Sequence, residues 1–198
     1  MRSTNPIAGF PVRLFLAINL PAETKQEIAE ASEPLRECAP ELSWVRAPLV
    51  HLTLKFLGEQ PAERIDEFQT AVAGVAARHR ELLMNLGGFG AFPNFRRARV
   101  VWLGVAQEPR LELLHHDIEV TCSQLGVETE GRPFRPHLTL ARVKAEQPEE
   151  RLRQLARAAK KATYTTDVII RSIDVMQSEL TPAGPEYTTL VSAALRSG

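Results

Sequence analysis

Apolar residues along the chain switch between two rhythms, and the switch happens twice in the same order. The runs VRLFLAINL (Val12 to Leu20) and RVVWLGV (Arg99 to Val105) are short and lack the polar face of an amphipathic helix, so each predicts a buried strand. Helical signals follow each. Pro21 sits just inside a helix start before AETKQEIAEASEPLREC, and Pro109 before RLELLHHDIEVTCSQLG, which closes on Gly126. Next in both halves comes a strand that opens His-Leu-Thr-Leu, at His51 to Leu54 and at His137 to Leu140. A second helix is marked by Pro61 with Ile65, Phe68, Val72 and Val75 on one face, and by Pro148 with Leu152, Leu155 and Ala159. A further strand closes each unit, near Leu82 to Phe92 and Val168 to Met176. The run YTTLVSAAL (Tyr187 to Leu195) adds an edge or partner strand beyond the TPAGP turn.

A shift of 86 positions carries His51 onto His137, and also sets Arg13 on Arg99, Leu14 on Val100, Leu16 on Trp102, Ile28 on Leu114, Leu83 on Ile169 and Phe89 on Val175. Ile18 on Gly104 is the poor match. Two copies make a pseudo-symmetric pair and not a solenoid. The pattern predicts an α+β fold: one domain over 1–198 built from an internal duplication, about 13–98 and 99–184, with a closing strand at 185–195. Its two pseudo-symmetric lobes would each be an antiparallel sheet with helices on the outside, flanking a central groove.

Composition narrows the function classes. The 198 residues are 44% hydrophobic and 24% charged, enough to bury a sizeable core and unlike a disordered tail. Acidic and basic residues balance at 24 each, so the chain has no global positive field for coating nucleic acid; local basic patches remain open. MRSTNPIAGFPV has no continuous apolar stretch of a secretion signal, and the run Leu14 to Ile18 is far too short to span a bilayer, which predicts a cytoplasmic protein without a membrane partner. Cys38 and Cys122 have no CxxC company and read as reduced, structural thiols.

Chemistry enters with the repeated tetrapeptide. On a strand, residues two apart share a face, so His51 and Thr53 point one way while Leu52 and Leu54 point into the core; His137 and Thr139 repeat this. A twofold arrangement would bring two imidazoles and two hydroxyls to one groove. Two histidines, one protonated and one not, run concerted general acid and base chemistry near neutral pH. Threonine hydroxyls donate to non-bridging phosphate oxygens, where charge must be held during transfer. One HxT tripeptide is commonplace and usually structural, and a duplication can copy a structural histidine. Here, however, the four letters persist where the rest of the repeat has diverged.

With the contexts HLTLKFLGE, FRPHLTLAR and LTPAGPEYTTL, the paired HxTx motifs resemble the 2H phosphoesterase superfamily, and in particular its RNA 2′,3′-cyclic phosphodiesterase branch, also called 2′-5′ RNA ligase. The resemblance runs from about Arg13 to Leu190. It implies that His51 is the proton donor to the leaving oxygen and His137 the proton acceptor that activates water; the residues alone do not say which does which. It also implies metal-independent opening of RNA 2′,3′-cyclic ends to 2′-phosphomonoesters, with possible reverse 2′-5′ ligation, and no cofactor. The partner would be RNA with a 2′,3′-cyclic phosphate end, or a smaller cyclic phosphate such as ADP-ribose 1″,2″-cyclic phosphate, handled by a monomer. The competing class is a module that captures a phosphorylated RNA end or nucleotide without turnover.

Other candidates are less specific. Arg135 either helps to hold phosphate with Thr53 and Thr139 or forms a surface ion pair. Arg96, Arg97 and Arg99 are the densest basic cluster and either meet RNA backbone or are solvated. Phe92 and Tyr187 are either base-stacking surfaces or core. Phe56, five residues past His51, should face the core on an unbroken strand. His79, His115 and His116 read as surface residues on helices. No HExxH or Cys/His cluster predicts a metal, and LGGFG (Leu86 to Gly90) reads as a strand bend and not as a phosphate loop.

Overall fold

The computed structural model describes residues 11–182 and 184–197; the leading segment, with most of MRSTNPIAGFPV, lies outside them. In chain order the elements are β1 (Pro11–Asn19), α1 (Ala22–Ala31), α2 (Glu33–Cys38), β2 (Ser43–Trp44), β3 (His51–Pro61), α3 (Ile65–Ala76), β4 (Leu82–Phe92), β5 (Val100–Val105), α4 (Pro109–Gln124), β6 (His137–Arg142), α5 (Glu149–Lys161), β7 (Thr165–Ile170), β8 (Ser172–Thr181) and β9 (Gly184–Ala194). The strands form one curled antiparallel sheet in the order β7-β4-β5-β6-β3-β1-β8-β9, with β2 beside β6. The fold is α+β as expected. The two lobes are the halves of this continuous sheet, and they meet where Leu52 of β3 pairs with Leu138 of β6.

The halves of the sheet interleave the halves of the sequence. β4, paired with β5 and β7, lies on the side that carries β6, whereas β8 and β9 extend the side that carries β1 and β3. A cut at 98/99 therefore does not separate the lobes. The stretch Val168 to Met176, expected as one strand, is two: β7 pairs with β4 at one edge, and after Arg171 the chain crosses to place β8 beside β1. Leu83 and Ile169, matched by the 86-residue shift, are thus cross-strand partners. The long first helix also divides. Ser32 bonds back to the Ala29 carbonyl at 3.0 Å, and Pro34, which has no N–H to donate, opens α2.

The ladders correct the alignment of the first strands as well. Ala17 pairs with Thr53 and Trp102 with Thr139; Asn19 pairs with His51 and Gly104 with His137. β1 and β5 therefore match with a shift one shorter than the motifs show. The physical consequence is large, because one residue exchanges the faces of a strand. Leu14, Leu16 and Ile18 are buried, while Trp102 and Gly104 face the groove.

Helices cover the opposite face. Ile28 of α1, Phe68, Val72 and Val75 of α3, and Leu111, Leu114 and Ile118 of α4 share a core with Leu52, Leu54 and Leu138; Leu152, Leu155 and Ala159 of α5 pack with Leu35 of α2 on Val101 and Ala141. Among the described residues, the only polar side chain of the largest fully buried ones is Lys55, 1% exposed. On the groove face a smaller cluster, Phe15, Ala17 and Met176 with Tyr187, lies beneath His51. Among the described residues no helix is long and apolar enough to cross a membrane.

Candidate active site

Backbone pairing fixes the two motifs before any side chain is considered. β3 and β6 run antiparallel through Leu52 and Leu138, so their register sets His51 beside Thr139 and Thr53 beside His137. The leucines are buried and the four polar residues are half-buried on the other face. The structure thus brings together His51, Thr53, His137 and Thr139.

The imidazoles are oriented alike. His51 Nδ1 lies 2.7 Å from the Leu49 carbonyl and His137 Nδ1 2.8 Å from the Arg135 carbonyl, each two residues upstream. A carbonyl oxygen only accepts, so Nδ1 must carry a proton in both rings, and Nε2 is left as the atom that gains or gives one. His51 Nε2 is 3.1 Å from Thr53 Oγ1. Aromatic rings hold the imidazoles from the side. Phe15 and Tyr187 lie at 5.0 and 5.3 Å from His51, Tyr187 edge-on, and Phe92 lies edge-on to His137 at 4.9 Å. Tyr187 and Phe92 are therefore groove residues beside the histidines and not core.

Burial lowers the pKa of each histidine; the accepting carbonyl opposes this, and nearby cations add to it. Arg142 acts on both imidazoles and Lys25 on His51. Lys25 Nζ donates to the Pro48 carbonyl at 2.8 Å and to Asn19 Oδ1 at 3.3 Å, and burial lowers its pKa too. The Asn19 amide in turn donates to buried Asp174 at 2.8 Å. The two imidazoles thus sit between two cations, Lys25 and Arg142, with the Asp174 carboxylate acting on Lys25.

Neither Arg142 nor Lys25 was assigned a role from sequence. In β3 the pairing passes from Ala17↔Thr53 to Leu16↔Lys55, and in β6 from Trp102↔Thr139 to Val101↔Ala141, so each strand carries a β-bulge just after its motif. The extra residue reverses the facing beyond it. Phe56, expected in the core, is 53% exposed on the groove side near Phe15, and Arg142 occupies the corresponding place in β6. Two bulges at matching positions could not be read from an alternating pattern.

Arg135 is exposed, and its guanidinium makes no ion pair among the described residues. With Pro136 and His137 it lines a cavity of about 580 Å³ walled by Phe92, Trp102, Gly104 and the start of the β5–α4 connection. Arg96, Arg97 and Arg99 are exposed around the turn between β4 and β5 and do not line this cavity. The LGGFG stretch is a bend as expected: Gly88 has φ +75° and the β4 register shifts between Leu86 and Phe89. His79 and His115 correct their expectation. His79 is buried against Asp117 at 2.9 Å, and His115 stacks on Phe134 at 3.8 Å, while His116 is exposed.

Residues 21–181 match the model of the 2′-5′ RNA ligase superfamily. The chain is 32% identical over 192 residues to a Thermus thermophilus protein named RNA 2′,3′-cyclic phosphodiesterase, covering 93% of this chain and 91% of that one. A namesake from Methanocaldococcus jannaschii is 31% identical over 179 residues, covering 90% and 98%. Among solved structures, TT0787 of Thermus thermophilus superposes with TM-score 0.78 at 29% identity, covering 93% of this chain and 98% of that one. Escherichia coli LigT complexed with 3′-AMP superposes with TM-score 0.73 at 28% identity and the same coverage.

Proposed function

We propose, from the premise that this chain belongs to the 2′-5′ RNA ligase superfamily, that it is an RNA 2′,3′-cyclic phosphodiesterase working through a pair of histidines. The observation that carries the mechanism is the matched tautomer: both Nδ1 atoms are committed to backbone carbonyls, so proton transfer falls to the two Nε2 atoms, that of His51 lying 3.1 Å from Thr53 Oγ1. A cyclic phosphodiester seated between them places its phosphorus in line. His137 takes a proton from water as its oxygen attacks, the P–O3′ bond breaks, and His51 protonates O3′, leaving a 2′-phosphomonoester. Thr53 and Thr139, with Arg142, hold the non-bridging oxygens as charge builds on them. In this reading Arg135 stands at the entrance on the His137 side, and the exposed Phe56 ring offers a face to the base of the cyclic nucleotide.

The test is incubation, with EDTA, of the protein and a short RNA ending in 2′,3′-cyclic phosphate, separating 2′- from 3′-phosphate products. A 2′-phosphate is expected. No product, or a 3′-phosphate, would overturn the reading.

Arg142→Ala is expected to lower kcat/KM about 100-fold, the loss typical of one charge-stabilising donor. It should also raise the pKa of both histidines, since the guanidinium pushes both down. A pH–rate profile that falls in height without moving to higher pH would place Arg142 outside the site.

A further inference from the structure

The two histidines share a tautomer, yet their surroundings differ. The ladder neighbour of His137 is Gly104, which has no side chain; that of His51 is Asn19, which has one and uses it. Asn19 Nδ2 donates to Asp174 Oδ2 at 2.8 Å and lies 3.3 Å from Met176 Sδ, while its Oδ1 accepts from Lys25 Nζ at 3.3 Å. Asp174 is buried, and its other oxygen accepts from Ser172 Oγ at 3.2 Å, so both carboxylate oxygens are engaged. The same Lys25 ammonium donates to the Pro48 carbonyl at 2.8 Å. Pro48 lies in the short turn Ala47–Leu49, and the next carbonyl along it, that of Leu49, holds His51 Nδ1 at 2.7 Å. A chain of contacts thus runs from a carboxylate on β8, through the end of β1 and the start of α1, to the peptide that orients one imidazole. Helix stability does not explain it. Lys25 stands in the first turn of α1, at the positive end of the helix dipole, where a cation is disfavoured. Burying an ammonium is unfavourable as well, and Asp174 offsets this by favouring the charged form.

We propose that Lys25 is a positioning residue for His51: it clamps the Pro48–Leu49 peptide, and Asn19 and Asp174 hold the clamp in place. The role rests on the two-histidine reading and deepens it. Leu49 offers its carbonyl to Nδ1, Lys25 fixes the residue before it, and Nε2 is thereby aimed at the leaving oxygen. The ammonium has a second effect on the same ring. A cation beside an imidazole favours loss of its proton, which makes His51 the readier donor. This push falls on His51 and not on His137, whereas that of Arg142 falls on both. The charged and titratable groups facing His51 are Lys25 on α1, Arg142 on β6, Tyr187 on β9 and His137 across the groove, with Asp174 on β8 behind Lys25.

Lys25→Met keeps the stem and removes both charge and donors; Lys25→Arg keeps charge and donors. On adenosine 2′,3′-cyclic phosphate, Lys25→Met should lower kcat about tenfold, short of the ~10²-fold that a 1 Å misplacement can cost, and leave KM within about threefold. Lys25→Arg should stay within about threefold of wild type in both constants. Titration of the imidazole rings followed by NMR gives a readout that a loosened fold would not. The His51 midpoint should rise in Lys25→Met and hold in Lys25→Arg, while the His137 midpoint holds in both. If kcat is unchanged in Lys25→Met, if Lys25→Arg is as slow as Lys25→Met, or if the two midpoints move together or not at all, the positioning role is overturned while the two-histidine reading stands. If wild type hydrolyses no cyclic phosphate, that reading fails and the role with it.

Discussion

His137→Ala and His51→Ala should each lower kcat/KM for an RNA 2′,3′-cyclic end by about 10³-fold, within the 10²–10⁴ range that a positioned acid or base contributes. In the proposed mechanism the two imidazoles act on one phosphorus in one step, so the double variant should be little worse than either single one. Their pH behaviour separates the roles. The proposed mechanism needs one proton between the two rings, so kcat/KM should fall on the acid side as both become protonated and on the alkaline side as both become neutral. Burial first, and Arg142 with it, set both pKa values below the ordinary histidine value of 6.5. The alkaline limb of kcat/KM should therefore begin below pH 6.5 and descend about tenfold per unit through neutrality. A bound phosphodiester anion favours both protonated rings, so the kcat profile should lie at higher pH than that of kcat/KM. His137→Ala should abolish the acid limb and His51→Ala the alkaline one. A kcat/KM that climbs from pH 7 to 9, or a double variant that keeps turnover near the wild-type level, would sink the mechanism.

The histidine–threonine face was legible because strand alternation is a local rule: His-Leu-Thr-Leu puts its polar pair on one side wherever the strand lies, and the structure finds the leucines of both motifs buried. Their juxtaposition came from the repeat. What the chain could not disclose depends on long-range pairing. The bulges after Thr53 and Thr139 turn Phe56 and Arg142 into the groove, and they show only as ladder irregularities. The break at Arg171 hides within an apolar stretch that would pass for one strand, yet its two sides join opposite halves of the sheet. Lys25 reaches His51's surroundings only because α1 lies near Pro48. Each of these misses concerns where the partner is, and a single strand's pattern carries no such information.

One of those bulges sets a charge inside the core, and it yields the largest expected effect on stability. Lys55 Nζ is 2.9 Å from Glu119 Oε2 in hydrogen-bonding geometry and 2.8 Å from Oε1 as a charge contact, and it donates to the Glu128 carbonyl at 2.6 Å. Glu119 Oε2 also accepts from the Glu130 N–H at 3.1 Å. Lysine and glutamate together therefore anchor the connection that runs from α4 to Arg135 and His137. In β6 the equivalent of Lys55 is Ala141, which packs under α5, so the ion pair belongs to one lobe only. Lys55→Met should destabilise the fold by about 3–5 kcal/mol, because it leaves a poorly solvated carboxylate without its cation. The denaturant midpoint should fall at nearly unchanged slope. Adding Glu119→Gln removes the stranded charge while keeping an acceptor for the Glu130 N–H, and should restore more than half of the loss. If the double variant is no more stable than Lys55→Met, the cost lies in packing the lysine stem and not in the buried charge.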